Sequence, residues 1–376
     1  MRRHQFFATV TVLAVSAIVS PATTADAEPA PRTEQKIRED EWHLKYLNVG
    51  KAHQISRGEG VAVAVVDTGV ASHPDLVRNL LPGTDLTAAG DGLHDTDGHG
   101  TAMAGLIAAH GQRNGVGALG IAPSAKILPI RGKVTNGGGD TDDLALGIEY
   151  AVRQGADVIC ISAVAVSSSR LATAVKAALQ SDVVVVAAAG NRPEDSTVGF
   201  PASEEGVIAV GGIDRSGMHA AVSVTGPQVD VAAPAVDIYS TSYGGKYSKG
   251  TGTSGATAIV AGAAALIRSK YPDLPAQEVA HRLTATAIDK GPPGRDDEYG
   301  YGVIDLVAAL TADVPPLGFE SPSVTAPTST AAHGNSDGNS TARGLATLGV
   351  LLAAGGGYLI WRRRRRAGDP PPRISR

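Results

Sequence analysis

Five near-continuous apolar runs rich in β-branched residues, at 60–66, 126–130, 156–161, 182–188 and 206–210, constrain this chain more than any other feature. A strand with one solvated face alternates apolar and polar residues. Runs this uninterrupted belong to strands covered on both faces, as in a parallel sheet. Between them lie helix-like segments at 101–110, 140–154 and 170–180. The alternation predicts an α/β doubly wound fold with a mainly parallel central sheet and its functional groups at the carboxyl ends of the strands. Aromatic residues make up only 4% of the chain while 46 residues are glycine, so the core has to be packed from Ala, Val, Leu and Ile, with backbones approaching closely at glycines.

The flanking segments read differently. Residues 1–27 carry Arg2 and Arg3, a short apolar stretch and Ala25-Asp26-Ala27, the pattern of a cleavable secretory signal peptide. Residues 28–41 are charged and contain proline without apolar periodicity, and are expected to form a short extended or flexible arm. The folded domain is expected over 42–312, followed at 313–343 by a linker rich in Pro, Ser, Thr and Gly. Residues 344–361 are 18 uncharged residues ahead of Arg362–Arg366. As a helix they would span about 27 Å, close to the roughly 30 Å hydrocarbon core of a bilayer. No Leu-Pro-x-Thr-Gly sorting motif precedes them, so they read as a single transmembrane helix, with 362–376 a basic cytoplasmic tail and the folded domain outside the cell membrane.

The net charge of −4 hides an asymmetry. Residues 28–342 hold 23 basic and 35 acidic residues, a balance of −12, against 10 basic and 2 acidic in the flanks. An acidic body excludes nucleic acid as the expected partner. The single cysteine, Cys160, rules out an intramolecular disulfide and reads as a packed core thiol.

Four positions are candidates for chemistry. Ser254 follows the glycine-rich turn Gly250-Thr251-Gly252-Thr253 and opens a run of small apolar residues, which puts it in the first turn of a buried helix. An N-cap is the ordinary reading of such a serine. Asp67 closes the first buried run in Asp67-Thr68-Gly69, where a turn role or an aspartic-protease carboxylate are the alternatives. The second needs two carboxylates, and no second Asp-Thr-Gly or Asp-Ser-Gly exists in the chain. His99 stands between Gly98 and Gly100 ahead of a small-residue helix, whereas His73, His94 and His110 read as structural or surface groups. Asn191 ends the fourth run, where its amide could donate to an oxyanion or its backbone could take a left-handed turn beside Gly190. A G-x-G-x-x-G match at 115–120 precedes Ile121-Ala122-Pro123 instead of opening a helix after a strand, which argues against a dinucleotide site.

Taken together, DTGVASHPDL at 67–76, DGHGTAMAGLIAA at 97–109, AAAGN at 187–191 and GTS at 252–254 resemble the subtilisin-like serine proteases. WHLKYLNV at 42–49, SVTGPQVDVAAP at 223–234 and DEYGYGVIDLVAAL at 297–310 resemble the mycosins, the membrane-anchored proteases of actinobacterial type VII secretion. The resemblance implies a subtilisin-like three-layer fold and a serine endopeptidase acting on a protein or peptide substrate. It assigns the nucleophile to Ser254, the general base to His99, the orienting carboxylate to Asp67 and an oxyanion donor to Asn191. It implies a substrate cleft at Gly137, Gly138 and Gly139 on one side, with Ser162, Ala163, Val164, Ala189 and Gly190 on the other. A flexible loop is the alternative reading of the three glycines.

The chain departs from the family's usual pattern at two places near that cleft. Val164 replaces a glycine, which narrows the first specificity pocket, and Gly255 follows the nucleophile where the family has Met or Phe. No cofactor or metal is expected. Calcium is the open alternative, because Asp75 matches one family ligand while 110–117 lacks a clear ligand set. The arm is much shorter than a folded propeptide, so folding without a detachable chaperone domain is expected, and the cysteine pair frequent in mycosins is absent. By the same resemblance, type VII secretion membrane components are expected partners. A scaffold of such a complex, with proteolysis dispensable, is the alternative function.

Overall fold

The computed structural model describes residues 34–112, 115–135 and 138–318. The signal peptide, the first part of the arm, Gly137, nearly all of the linker, the apolar segment at 344–361 and the basic tail lie outside these residues. Among the described residues no helix is long and apolar enough to cross a membrane.

The strands, in chain order, are β1 Ala62–Asp67, β2 Thr84–Asp85, β3 Lys126–Arg131, β4 Val134–Thr135, β5 Gly138–Gly139, β6 Val158–Ile161, β7 Val184–Ala188, β8 Ile208–Ile213, β9 Val231–Pro234, β10 Ile238–Thr241 and β11 Tyr247–Gly250. The helices are α1 Glu34–Asp40, α2 Trp42–Tyr46, α3 Val49–Ala52, α4 His99–Ala108, α5 Thr141–Arg153, α6 Ser169–Gln180, α7 Thr253–Lys270, α8 Ala276–Ala285 and α9 Leu306–Thr311. Seven strands form one sheet in the order β2-β3-β1-β6-β7-β8-β9, and every pairing in it is parallel. All five apolar runs are strands of this sheet. The edge strands β2 and β9 carry no comparable run and were not legible.

Side chains alternate across the sheet, so each run feeds two cores. Val63, Val65, Val158 and Cys160 join the apolar cluster that includes α4 and α7. Ala64, Val66, Ile159 and Ile161 join the one that includes α5 and α6. The result is three layers, helix on sheet on helix. Cys160 is fully buried, and burial pushes its thiol up to about 12, as suits an inert core group. Helix α7 is buried along Thr253–Arg268 because its Ala and Gly positions let its backbone lie against the sheet and α4. A Cβ at Gly262 would stand 2.7 Å from Ile121 Cβ, so only glycine permits this approach.

The arm differs from its expected extended form. Glu34–Asp40 is helical, and Ile37 is buried in the main core. Arg38 Nε donates to the Gly117 carbonyl (3.0 Å), while the buried Glu41 carboxylate accepts the Leu119 N–H (3.1 Å). One apolar residue among charges shows no periodicity, but it is enough to dock a two-turn helix when a pocket is waiting.

β1 sits at the point where strand order reverses, with β3 on one side and β6 on the other. The carboxyl end of such a strand opens into a crevice, because the following connections diverge to opposite faces. Asp67 stands there. We expect Gly262→Val to cost about 1–3 kcal/mol through overpacking against Ile121. Urea unfolding checks this, and an unchanged midpoint would mean that α7 packs loosely enough to accept a larger side chain.

Candidate active site

The crevice is assembled from three chain ends brought together by the sheet. Asp67 is fully buried at the end of β1, and its Oδ1 accepts the Thr68 N–H (2.8 Å). His99 is the first residue of α4, and its Nδ1 lies 2.7 Å from Asp67 Oδ1. A carboxylate can only accept, so Nδ1 carries the proton and Nε2 is left as the basic nitrogen. The glycines flanking His99 explain how it gets there. Gly98 has φ +97, and a Cβ on Gly100 would collide with the Gly69 carbonyl and stand 3.1 Å from Asp67 Cβ. Any larger residue at 100 would push α4 off the end of β1.

A second carboxylate, missed in the sequence, fixes this junction. Asp95 Oδ1 accepts from Thr68 Oγ1 (3.0 Å), the Asp97 N–H (3.0 Å) and the Gly98 N–H (2.9 Å). Its Oδ2 accepts from the Thr101 N–H (3.0 Å) and Thr101 Oγ1 (2.5 Å). Thr68 Oγ1 in turn accepts the Gly100 N–H (2.9 Å). Asp95 therefore ties the loop before α4 to the residue after Asp67. No signal in the sequence marks it, because Gly98 is the N-cap of α4 and Asp95 stands three residues ahead of the position at which a capping aspartate is read.

Burial alone would push the His99 imidazole down. The facing and hydrogen-bonded Asp67 carboxylate, with Asp97 and Asp95 beyond it, outweighs that and raises it from 6.5 to about 9. The ring is 28% exposed, so solvent tempers this shift. The raised value contributes stability that is complete below pH 6.5 and is lost as pH rises through about 9.

Ser254 is the second residue of α7, so its N–H has no intrahelical acceptor. Its Oγ donates to the Ser162 carbonyl (3.0 Å), and Ser162 Oγ donates to the Ser254 carbonyl (3.2 Å), a reciprocal brace between α7 and the end of β6. Asn191 Oδ1 accepts the Thr253 N–H (2.8 Å). That N–H can only donate, so it fixes the amide orientation and leaves the Asn191 NH2 as the free end. His99, Asn191 and Ser254 all border one cavity of about 380 Å³. The sheet thus brings together the four residues singled out for chemistry, which lie far apart in the chain.

The expected substrate cleft is only partly open. Ser162, Ala163, Ala189 and Gly190 are buried. The Val164 side chain lies over Gly199, where an added Cβ would collide with Val164 Cγ1. Gly139 donates to the Val164 carbonyl (2.9 Å) and Gly138 bridges Val164, so these segments pair with each other. A peptide strand between them needs two strand spacings, about 9.6 Å, so the segments would have to part to receive one. Asp75, the one residue that matches a family calcium ligand, is engaged within the protein. Both Asp75 oxygens accept from protein donors, the Ala118 N–H (2.7 Å), Tyr247 OH (2.9 Å) and Gln112 Nε2 (2.9 Å). His73 is buried and its Nδ1 accepts the Asp75 N–H (3.0 Å), a structural role.

The family model "Subtilase family", Peptidase S8, matches residues 58–302, and the chain therefore belongs to the subtilases, which are serine endopeptidases. Subtilisin DY of Bacillus licheniformis is 41% identical over 67% of this chain and 92% of its own length. Mycosin-1 of Mycobacterium tuberculosis is 35% identical over 77% of both chains. The crystal structure of MycP1 with the N-terminal propeptide removed aligns with TM-score 0.67 and 33% identity, over 73% of this chain and 98% of that one. MycP3 protease from the type VII (ESX-3) secretion system aligns with TM-score 0.64 and 36% identity, over 72% and 88%. Within the subtilases the chain is thus mycosin-like.

Because a general base must be neutral, we expect kcat/KM to rise with pH up to about 9, well above the 6.5 of an ordinary imidazole. Asp67→Asn should lower kcat by about 10⁴-fold and move the remaining limb toward acid. A limb that stays in place in Asp67→Asn would mean that another group sets it.

Proposed function

We propose that the chain is a membrane-anchored, extracytoplasmic serine endopeptidase in which Ser254 attacks the scissile carbonyl and His99 accepts its proton. His99 then returns the proton to the leaving amine, while Asp67 holds the ring and balances the imidazolium. The observation that carries this reading is the 2.7 Å Asp67–His99 contact at a cavity that Ser254 also borders. Rotation of the Ser254 hydroxyl exchanges its Ser162 acceptor for His99 Nε2. The Asn191 NH2 and the Ser254 N–H serve the oxyanion, donors that act without reorganisation because Thr253 and α7 already hold them.

Substrate backbone enters between 138–139 and 162–164 as these segments part. The Val164 side chain over Gly199 then selects a small residue on the acyl side of the scissile bond. The uncharged segment at 344–361 and Arg362–Arg366 support anchoring with the tail in the cytoplasm, and residues 1–27 support export. The solved relative MycP1 is a serine protease and an essential component of the type VII (ESX-1) secretion system. At 34% identity, it supports components of such a system as partners here.

A fluorophosphonate probe should label the detergent-solubilised protein at Ser254. Ser254→Ala and His99→Ala should both abolish labelling, and Asn191→Ala should lower kcat by about 10²- to 10³-fold. A well-folded protein that does not label sinks the catalytic reading. Peptides with Ala before the cleaved bond should exceed those with Phe by roughly 10- to 200-fold in kcat/KM, and Val164→Gly should erase that margin. Equal rates in the unaltered enzyme would remove Val164 from the specificity argument.

A further inference from the structure

The Thr253 N–H fixes the amide end of the Asn191 side chain, but an oxyanion donor also needs its Cα end fixed. Asn191 lies just beyond β7, where the chain forms an antiparallel bridge to Ser223. Only one edge of the residue faces that segment. The Gly190 carbonyl accepts the Val224 N–H (3.1 Å), and the Arg192 N–H donates to the Val222 carbonyl (2.8 Å). In such a pairing the N–H and carbonyl of the middle residue, here Asn191, point to the opposite edge. Asp195 supplies both partners there. Its Oδ2 accepts the Asn191 N–H (2.8 Å), and its own N–H donates to the Asn191 carbonyl (2.8 Å). The two bonds close residues 191–195 into a ring. Gly190 leaves room for the carboxylate, because it has φ +118 and a Cβ there would stand 2.9 Å from Asp195 Oδ2.

Resting on the serine-protease reading, we infer that Asp195 is a positioning residue for catalysis: its carboxylate sets the Asn191 backbone so that the amide NH2 meets the oxyanion. Asp195 stands outside the cavity that His99, Asn191 and Ser254 border, so it acts through Asn191. A residue bonded on both edges cannot twist, and the direction of its Cα–Cβ bond is thereby set. Thr253 holds the other end of the same side chain through the 2.8 Å bond to Oδ1. With both ends held, the NH2 has its place before the reaction starts, which is what makes an oxyanion donor effective. The role is geometric. A carboxylate is a stronger acceptor than a neutral oxygen, yet a negative charge close behind a developing oxyanion opposes it. What the position requires is an acceptor at the right distance, and the charge is dispensable.

The test assays the full-length, detergent-solubilised protein on a peptide anilide ending in alanine, with position 195 varied. Asp195→Ala removes the acceptor and should lower kcat by about 10-fold with KM unchanged, a part of the roughly 10²- to 10³-fold loss expected when the donor itself is removed. A peptide aldehyde, whose adduct with Ser254 carries the oxyanion, should bind more weakly by the same factor. Asp195→Asn keeps an acceptor without the charge and should hold kcat within about twofold. Asp195→Glu keeps the charge but displaces the acceptor by a methylene, and should lose activity as Asp195→Ala does. These last two variants keep the inference open to refutation if Asp195→Ala fails to fold. In an Asn191→Ala background no amide is left to place, so adding Asp195→Ala should cause no further loss. An unchanged kcat in Asp195→Ala overturns the inference, as does loss of activity in Asp195→Asn or full activity in Asp195→Glu. An equal loss with and without the Asn191 amide overturns it too, because Asp195 would then act through the fold at large. Failure of the wild-type protein to cleave or to label with fluorophosphonate would count against the serine-protease reading instead.

Discussion

The contact on which the candidate site depends is the one between the Asp67 carboxylate and His99 Nδ1. It exists because β1 lies where strand order reverses, so that its carboxyl end is fully buried yet opens toward a crevice. A lone buried carboxylate is costly. Here the Thr68 N–H and the imidazole share the charge, and in return Asp67 sets both the tautomer and the basicity of the ring.

That contact needs close packing around it. Gly100 lets α4 reach the end of β1, and Asp95 bonds to Thr68, Gly98 and Thr101 so that the approach is rigid. On the other side of the crevice, the Ser162–Ser254 brace and the Thr253–Asn191 bond tie α7 to the ends of β6 and β7. Glycine acts at two scales in this chain. It permits close backbone contact at 100 and 262, whereas at 255 an added Cβ would make only ordinary contacts with Leu106 and Ile238. The low aromatic content belongs to the same economy, since helices of alanine and glycine lie closer to a sheet than large side chains would permit.

The main strands and helices were legible because buried parallel strands leave uninterrupted β-branched runs, and amphipathic helices leave a distinct period. Boundaries moved by only a few residues, as for α4, expected at 101–110 and found at His99–Ala108. What escaped was short or depended on neighbours. β2 has two residues, β9 is the four residues Val-Ala-Ala-Pro, and α1 is held by one buried isoleucine in a charged stretch. Asp95 escaped because an aspartate whose partners are backbone N–H groups and hydroxyls looks, in one dimension, like any loop aspartate. Conversely, the pairing of Gly138 and Gly139 with Val164 could not be read from glycines that suit a strand edge or a loop equally well.

By itself, the sequence determined the fold class and the residue types at the site, because hydrophobic periodicity and small-residue motifs are local properties. It also carried the departures at Val164 and Gly255, and the expectation that Val164 narrows a pocket, but not what either position packs against. Tertiary structure alone decided that Val164 packs over Gly199 and that Gly255 faces a cavity floored by Met103, Leu106 and Ile238. The physical reason is that filled and empty volume arise where elements distant in the chain meet. A one-dimensional pattern records which side chains are present, while the spaces between them are set by the packing of β1, α4, α7 and the β10–β11 hairpin.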